Sequence, residues 1–136
     1  MEIMKISKEA AWDIRHRVMW PDQDLAYVKL QDDDNGIHYG LFAEARLVSV
    51  ISLFTGPSGA QFRKFATLQD EQGKGYGSEL LRYVINQAQA TGASKIWCNA
   101  RKNKSPYYRK FGLEETDRRF MKGGIEYVVM EKYFDE

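Results

Sequence analysis

Apolar positions along the chain switch between a helical spacing and a two-residue spacing. Ala11, Ile14 and Val18 share one face of a helix predicted over 8–17, with Ser7 as its cap. Pro21 stops anything continuing past Trp20. After DDDNG at 32–36, a turn sequence, Ile37, Tyr39, Leu41 and Ala43 alternate as a strand over 37–43. LVSVISLF at 47–54 is β-branched and almost wholly apolar, which suits an internal strand. GPSG at 56–59 loops into a further strand over 61–68. Leu80, Leu81, Val84, Ile85 and Ala88 then repeat at helical spacing until Gly92 ends the run. A strand over 94–100 follows, then a short helix opening at Ser105-Pro106, with Ser105 as cap, and ending at Gly112. Two strands, 114–121 and 125–133, are joined by the turn Lys122-Gly123-Gly124.

Hairpins early, one strand–helix–strand unit in the middle and a hairpin late predict an α/β (α+β) domain. It occupies residues 1–136, with helices on both faces of a sheet. Composition leaves that reading intact: 136 residues, 43% hydrophobic and 29% charged, are ordinary for one globular domain. A net charge of +1, from 20 basic and 19 acidic side chains, gives no footprint for nucleic acid or an anionic membrane. The single Cys98, mid-strand beside an apolar neighbour, reads as a small buried residue. It excludes an internal disulfide and a cysteine-cluster metal site, so no metal is expected. The opening MEIMKISKEAAWD has no apolar signal-peptide core, and no apolar run is long enough to span a bilayer. A cytoplasmic address is expected. The Asp32-Asp33-Asp34 run reads as a solvated turn, and His38, alone on a strand, as structural.

The chemistry concentrates in QDEQGKGYGSELL, residues 69–81, where glycines at 73, 75 and 77 precede the long helix. A nucleoside-triphosphate loop needs four residues between its first glycine and Gly-Lys-Ser/Thr, and this stretch lacks them. A dinucleotide fingerprint needs its third glycine three positions after the second, whereas Gly77 is two after Gly75. The stretch fits Gln/Arg-x-x-Gly-x-Gly/Ala as Gln72-x-x-Gly75-x-Gly77. Free N–H groups and the positive end of the helix dipole would converge there on an anion, with Lys74 at the rim. The plain alternative is a glycine-rich turn before a core helix.

SPYYRKFGL at 105–113 lies about thirty residues downstream, after the next strand. The pair of motifs resembles the GNAT superfamily of N-acetyltransferases, whose second motif, Phe/Tyr-Tyr-x-Lys-x-Gly-Phe/Leu, is matched by residues 107–113. RHRVMWPDQ, RKFATL, IWCNAR and YYRKFGL look like segments of the glyphosate N-acetyltransferase type. The resemblance covers nearly the full chain. It implies a mostly antiparallel mixed sheet of six to seven strands, splayed near the acetyl-CoA site. Acetyl-CoA is the implied co-substrate and a small amine the implied acceptor. A protein or peptide acceptor and a non-catalytic acyl-CoA-binding module are the alternatives, and a homodimer is possible.

Residue by residue, the resemblance implies that Phe65, Ala66, Thr67 and Leu68 pair by their backbone with the pantetheine arm. Gln72, Gly73, Lys74, Gly75, Tyr76, Gly77 and Ser78 would surround the pyrophosphate, with Ser105 also at the cofactor. Tyr108 matches the tyrosine that protonates the leaving thiolate, while Tyr107 reads as packing on Phe111, four residues on. Arg63 and Arg101 match arginines that bind the acceptor's anionic end, a role suited to a fork of donors. Two positions depart from the type. A third arginine is Trp20 here, and the histidine base is Tyr127. Those departures imply a less charged acceptor pocket with an aromatic wall, and they leave the base unassigned.

Overall fold

The computed structural model describes residues 1–134. Seven strands form one sheet: β1 (Glu2–Ile6), β2 (Ile37–Ala43), β3 (Arg46–Gly56), β4 (Gly59–Thr67), β5 (Lys95–Arg101), β6 (Glu114–Lys122) and β7 (Ile125–Tyr133). Their spatial order is β1-β2-β3-β4-β5-β7-β6. Every neighbouring pair is antiparallel except β4 and β5, which are parallel. The helices are α1 (Lys8–Met19), α2 (Tyr76–Ala90) and α3 (Ser105–Arg109).

Adjacent strand residues point to opposite faces, and this separates the two long helices. Tyr39 of β2 meets Tyr83 of α2 with ring centroids 5.7 Å apart. Its neighbour His38 instead shares Ser52 with Arg15 of α1. So α1 and α2 cover opposite faces, as expected from the sequence. All five apolar positions that predicted α2 are buried, and the four larger side chains are each worth about 1.5–3 kcal/mol if fully removed from water. The predicted bounds of β2 and β7 hold.

Several elements differ from expectation. β1 is absent from the sequence reading: its five residues, EIMKI, form a half-exposed edge strand with too little alternation to stand out. One-turn 3-10 helices, Leu25–Val28 and Asp33–Asn35, occupy the connection from α1 to β2. Ser105 is the first residue of α3 rather than its cap, which is Lys104. The late hairpin closes on two residues, Gly123 and Gly124, both with positive φ (58° and 78°). That is the geometry of a tight turn matching strand twist, and Lys122 belongs to β6.

The largest correction concerns the acidic run. Asp33 is 3% exposed, and Arg15 is wholly buried beside it. The guanidinium donates to both carboxylate oxygens at 2.9 and 3.0 Å, and also to Val28 O and Ser52 Oγ. Trp12 Nε1 and the Leu30 amide complete the shell of Asp33. The pair ties α1, the connection and β3 together. Burial alone would push the Asp33 carboxyl up, but the hydrogen bonds from Arg15, Trp12 and Leu30 outweigh it and hold it at about 2, below the ordinary 3.8.

Removing one member leaves the other charge buried alone, so Arg15→Met should destabilise by about 3–5 kcal/mol in urea unfolding. Arg15→Met with Asp33→Leu should recover most of that loss. Because the folded pKa is depressed, this contribution is complete above pH 3.8 and fades as pH falls through about 2. That part of the acid limb should vanish in the double variant.

Candidate active site

β4 and β5 pair only at Ala60–Ile96 and Gln61–Trp97, then separate. In the same region β4 carries a bulge: Ser52 faces Arg63 and Val50 faces Ala66, so Lys64 and Phe65 together oppose Ile51. Lys64 sits at φ 56°, left-handed backbone that side chains other than glycine rarely adopt. The split between the strands opens two clefts that share Phe65, Lys104 and Tyr108.

The first cleft, about 500 Å³, runs along Phe65, Ala66 and Thr67 to the start of α2. Gln72, Gly73, Gly75, Tyr76, Gly77 and Ser78 line it. Gly75 caps α2 at φ 86° and Gly73 sits at φ 81°; a Cβ on either would meet nothing within 4 Å. The loop thus exposes bare backbone. The amides of Tyr76, Gly77 and Ser78 open the helix and have no acceptor within it. The Gln72 side chain donates to Thr67 O at 3.0 Å, pinning the loop to the end of β4. This arrangement can hold a diphosphate: close backbone, convergent N–H groups and a helix dipole pointing at it.

Three residues expected at the cofactor do not line this cleft. Lys74 is exposed, with its ammonium on Glu71 at 2.7 Å. Leu68 turns its side chain into the core, and its amide donates to Val48 O at 2.8 Å. Ser105 is buried, and its hydroxyl donates to Glu115.

The second cleft, about 730 Å³, brings together all four residues expected at the acceptor: Trp20, Arg63, Arg101 and Tyr127. Lys64, Lys104 and Lys122 join the two arginines, and Tyr27 and Phe120 add aromatic surface. Among the described residues lining it there is no aspartate, glutamate or histidine. The cleft thus carries five basic side chains beside the aromatic wall at Trp20. Alternation along a regular strand would send Arg63 and Lys64 to opposite sides, and the bulge brings both to the cleft. Phe120 stacks on Tyr127 with centroids 5.1 Å apart. Lys64 Nζ lies 4.5 Å from the Trp20 ring centroid.

Tyr108 stands where the clefts meet. Its ring packs against Phe62 and Tyr107, at 5.7 and 5.3 Å, rather than on Phe111. Tyr107 does pack on Phe111, at 5.2 Å, and shares a hydrogen bond with Ser78 Oγ at 3.0 Å. Burial, then the neighbouring Cys98 and Tyr107, push the Tyr108 hydroxyl well above the usual tyrosine range. Cys98 is buried in the same region and its thiol is pushed up to about 12 by burial. His38 is structural, held by Ser52 Oγ at 2.7 Å and Asp33 O at 2.9 Å. Among the described residues, no group of three or more His, Cys, Asp or Glu side chains could hold a metal. Among the same residues no helix is long and apolar enough to cross a membrane.

The sequence matches the family model described as Acetyltransferase (GNAT) domain over residues 13–134. The chain belongs to the GNAT acetyltransferases. It is 32% identical to the uncharacterized N-acetyltransferase YitI of Bacillus subtilis (strain 168), over 97% of this chain and 95% of the relative. Among solved structures it is similar to Escherichia coli ElaA, with a TM-score of 0.82 and 14% identity, covering 96% of this chain and 98% of that one. A GNAT family acetyltransferase from Elizabethkingia anophelis, with acetyl-CoA bound, gives a TM-score of 0.77 and 16% identity, covering 98% and 97%. Identities this low carry the fold and no more.

Glu115 fixes the helix that presents Tyr108. Besides Ser105 it accepts from Lys102 at 2.9 Å and Arg119 at 3.3 Å, and Arg109 lies 3.2 Å away. The hydrogen bond from Ser105, then that from Lys102, hold its carboxyl at about 2, against an ordinary 4.5. Glu115→Gln should lower the Tm at neutral pH. The wild-type advantage should be full above pH 4.5 and disappear as pH falls through about 2, which calorimetry across that range would read.

Proposed function

We propose that this chain is a cytoplasmic, acetyl-CoA-dependent N-acetyltransferase whose acceptor is a small amine carrying a carboxylate or similar anion. The observation that carries the reading is the meeting of two unlike clefts at one tyrosine. One offers bare backbone amides at a helix start, and the other offers cations with no carboxylate among the described residues on its walls. The amides of Gly73, Gly75, Tyr76, Gly77 and Ser78 hold the pyrophosphate. The freed edge of β4 at Phe65–Thr67 pairs with the pantetheine arm. Acetyl-CoA, bound in the Elizabethkingia anophelis relative, supplies an activated acetyl group at the junction.

Arg63 and Arg101 bind the acceptor's acid group, and Trp20 and Tyr127 bound its apolar part. The amine attacks the acetyl carbon directly, with no covalent enzyme intermediate. Tyr108 donates its phenolic hydrogen to the departing sulfur. Lining of this charge disfavours a basic peptide or a polycationic amine, which would meet like charges. The glyphosate-type assignment is weaker than the general one, because Trp20 and Tyr127 replace two residues of that type.

An acceptor screen following free CoA tests this. Carboxylated amines should outperform their uncharged and polycationic counterparts. Arg63→Ala and Arg101→Ala should each raise KM for such acceptors roughly tenfold to a hundredfold, the range of a lost charge-assisted hydrogen bond. If neither does, the anion clamp is wrong. Tyr108→Phe should lower kcat by about a hundredfold while leaving acetyl-CoA affinity nearly unchanged. Tight acetyl-CoA binding with no transfer to any amine would favour a binding module instead.

A further inference from the structure

An amine acceptor reaches a neutral solution as an ammonium, which has no lone pair with which to attack. Among the described residues, the lining of the acceptor cleft supplies no aspartate, glutamate or histidine as a proton acceptor. His38 and Asp33 are engaged in the buried network behind it. Cys98 and Tyr108 hold their protons too tightly to start as bases. Lys64 differs from the other cations of the cleft in its placement. The bulge holds its backbone in left-handed geometry, a strain that persists only where the surroundings over-determine it. Its amine faces a ring, Trp20, in place of a carboxylate. The charged groups around it are Arg63 on β4, Arg15 on α1, Lys122 on β6, and Asp33, which is already paired with Arg15.

We propose that Lys64, as the neutral amine, takes the proton from the acceptor's ammonium. The inference rests on the transferase reading above. Burial first, then Arg63, Arg15 and Lys122, bring its ammonium down to about 8 from the ordinary 10.5. Roughly a tenth is then neutral at pH 7, against about three in ten thousand for an ordinary lysine. Lys64 Nζ accepts one proton from nitrogen, and the freed lone pair forms the C–N bond as the C–S bond breaks. Tyr108 gives its proton to sulfur, and the second proton lost from nitrogen restores it through solvent. Lys64 returns its own proton to solvent. Ammonium and acetyl thioester thus become amide, thiol and one proton.

Two measurements on the full chain test this. Trace labelling with an amine-reactive anhydride across pH, with CoA present, reads each lysine without needing an acceptor. Lys64 should label with a midpoint near 8, well below that of an ordinary lysine. A Lys64 midpoint among the exposed lysines overturns the proposal. With an acceptor from the screen, kcat should rise with pH through the same midpoint. Lys64→Arg keeps the cation and the ring contact but cannot give up its proton. It should lower kcat by about 10²–10³-fold with little change in KM, and Lys64→Met should do likewise. A Lys64→Arg enzyme within about threefold of wild type, or one whose loss falls on KM, makes Lys64 an anion-binding cation and sinks the base alone. Acetyl-CoA binding without transfer to any amine sinks the transferase reading and the base together.

Discussion

The separation of β4 from β5 is the constraint on which the site depends. Two strands that pair over only two residues and then diverge leave backbone donors and acceptors unpaired in the middle of a sheet. Such groups cost several kcal/mol if buried dry, so the gap must hold water or a polar chain. The sheet tolerates the opening because it is secured on both sides. β3 binds β4 up to the bulge and beyond, and β7 pairs with all of β5. The bulge at Lys64 and Phe65 bends β4 in the same region. It also delivers two successive side chains to the acceptor side, so the break in the ladder and the charge of the cleft share one cause.

A net charge of +1 conceals how unevenly charge is distributed. Three of the acidic groups near the site are already paired: Asp33 with Arg15, Glu71 with Arg46 and Lys74, and Glu115 with Lys102, Arg109 and Arg119. Among the described residues, the lining of the second cleft keeps Arg63, Lys64, Arg101, Lys104 and Lys122 and no carboxylate. Like charges in a part-buried space raise the local potential and repel an ammonium, so under the proposed function an acid group on the acceptor would offset what its amine suffers. Composition could exclude a nucleic-acid footprint across the whole surface. It could not register a field confined to one cleft.

What the sequence made legible follows how local the physics is. The helix α2 and strands β2 and β7 carry their periodicity in neighbouring residues, and the glycine loop carries its meaning in spacing. Trp20, Arg63, Arg101 and Tyr127 reach one cleft from α1's end, β4, β5 and β7, and only resemblance brought them together in advance. Lys64 escaped because a bulge breaks the two-residue rule. Asp33 escaped because nothing within DDDNG distinguishes the residue that Arg15, eighteen positions earlier, draws into the core. β1 escaped because an edge strand with one protected face needs little apolar patterning.

In the proposed mechanism, burial at the junction acts on both partners of the last proton transfer. It makes Tyr108 a weaker acid than a free tyrosine, which by itself would make proton donation to a thiolate unfavourable. Cys98 gauges what the same surroundings do to sulfur, since burial pushes its thiol up to about 12 from an ordinary 9.0. A thiolate formed beside Tyr108 would be made more basic in the same direction, which works against the cost of drawing a proton from a buried tyrosine. Under the proposed mechanism the hydroxyl would stay protonated until sulfur begins to carry charge and would donate at that point. A solvated tyrosine would not gain this timing, because water would stabilise the thiolate and compete for its hydrogen bond. If Tyr108 is the proposed acid, its burial between Phe62 and Tyr107 serves the chemistry as well as the packing.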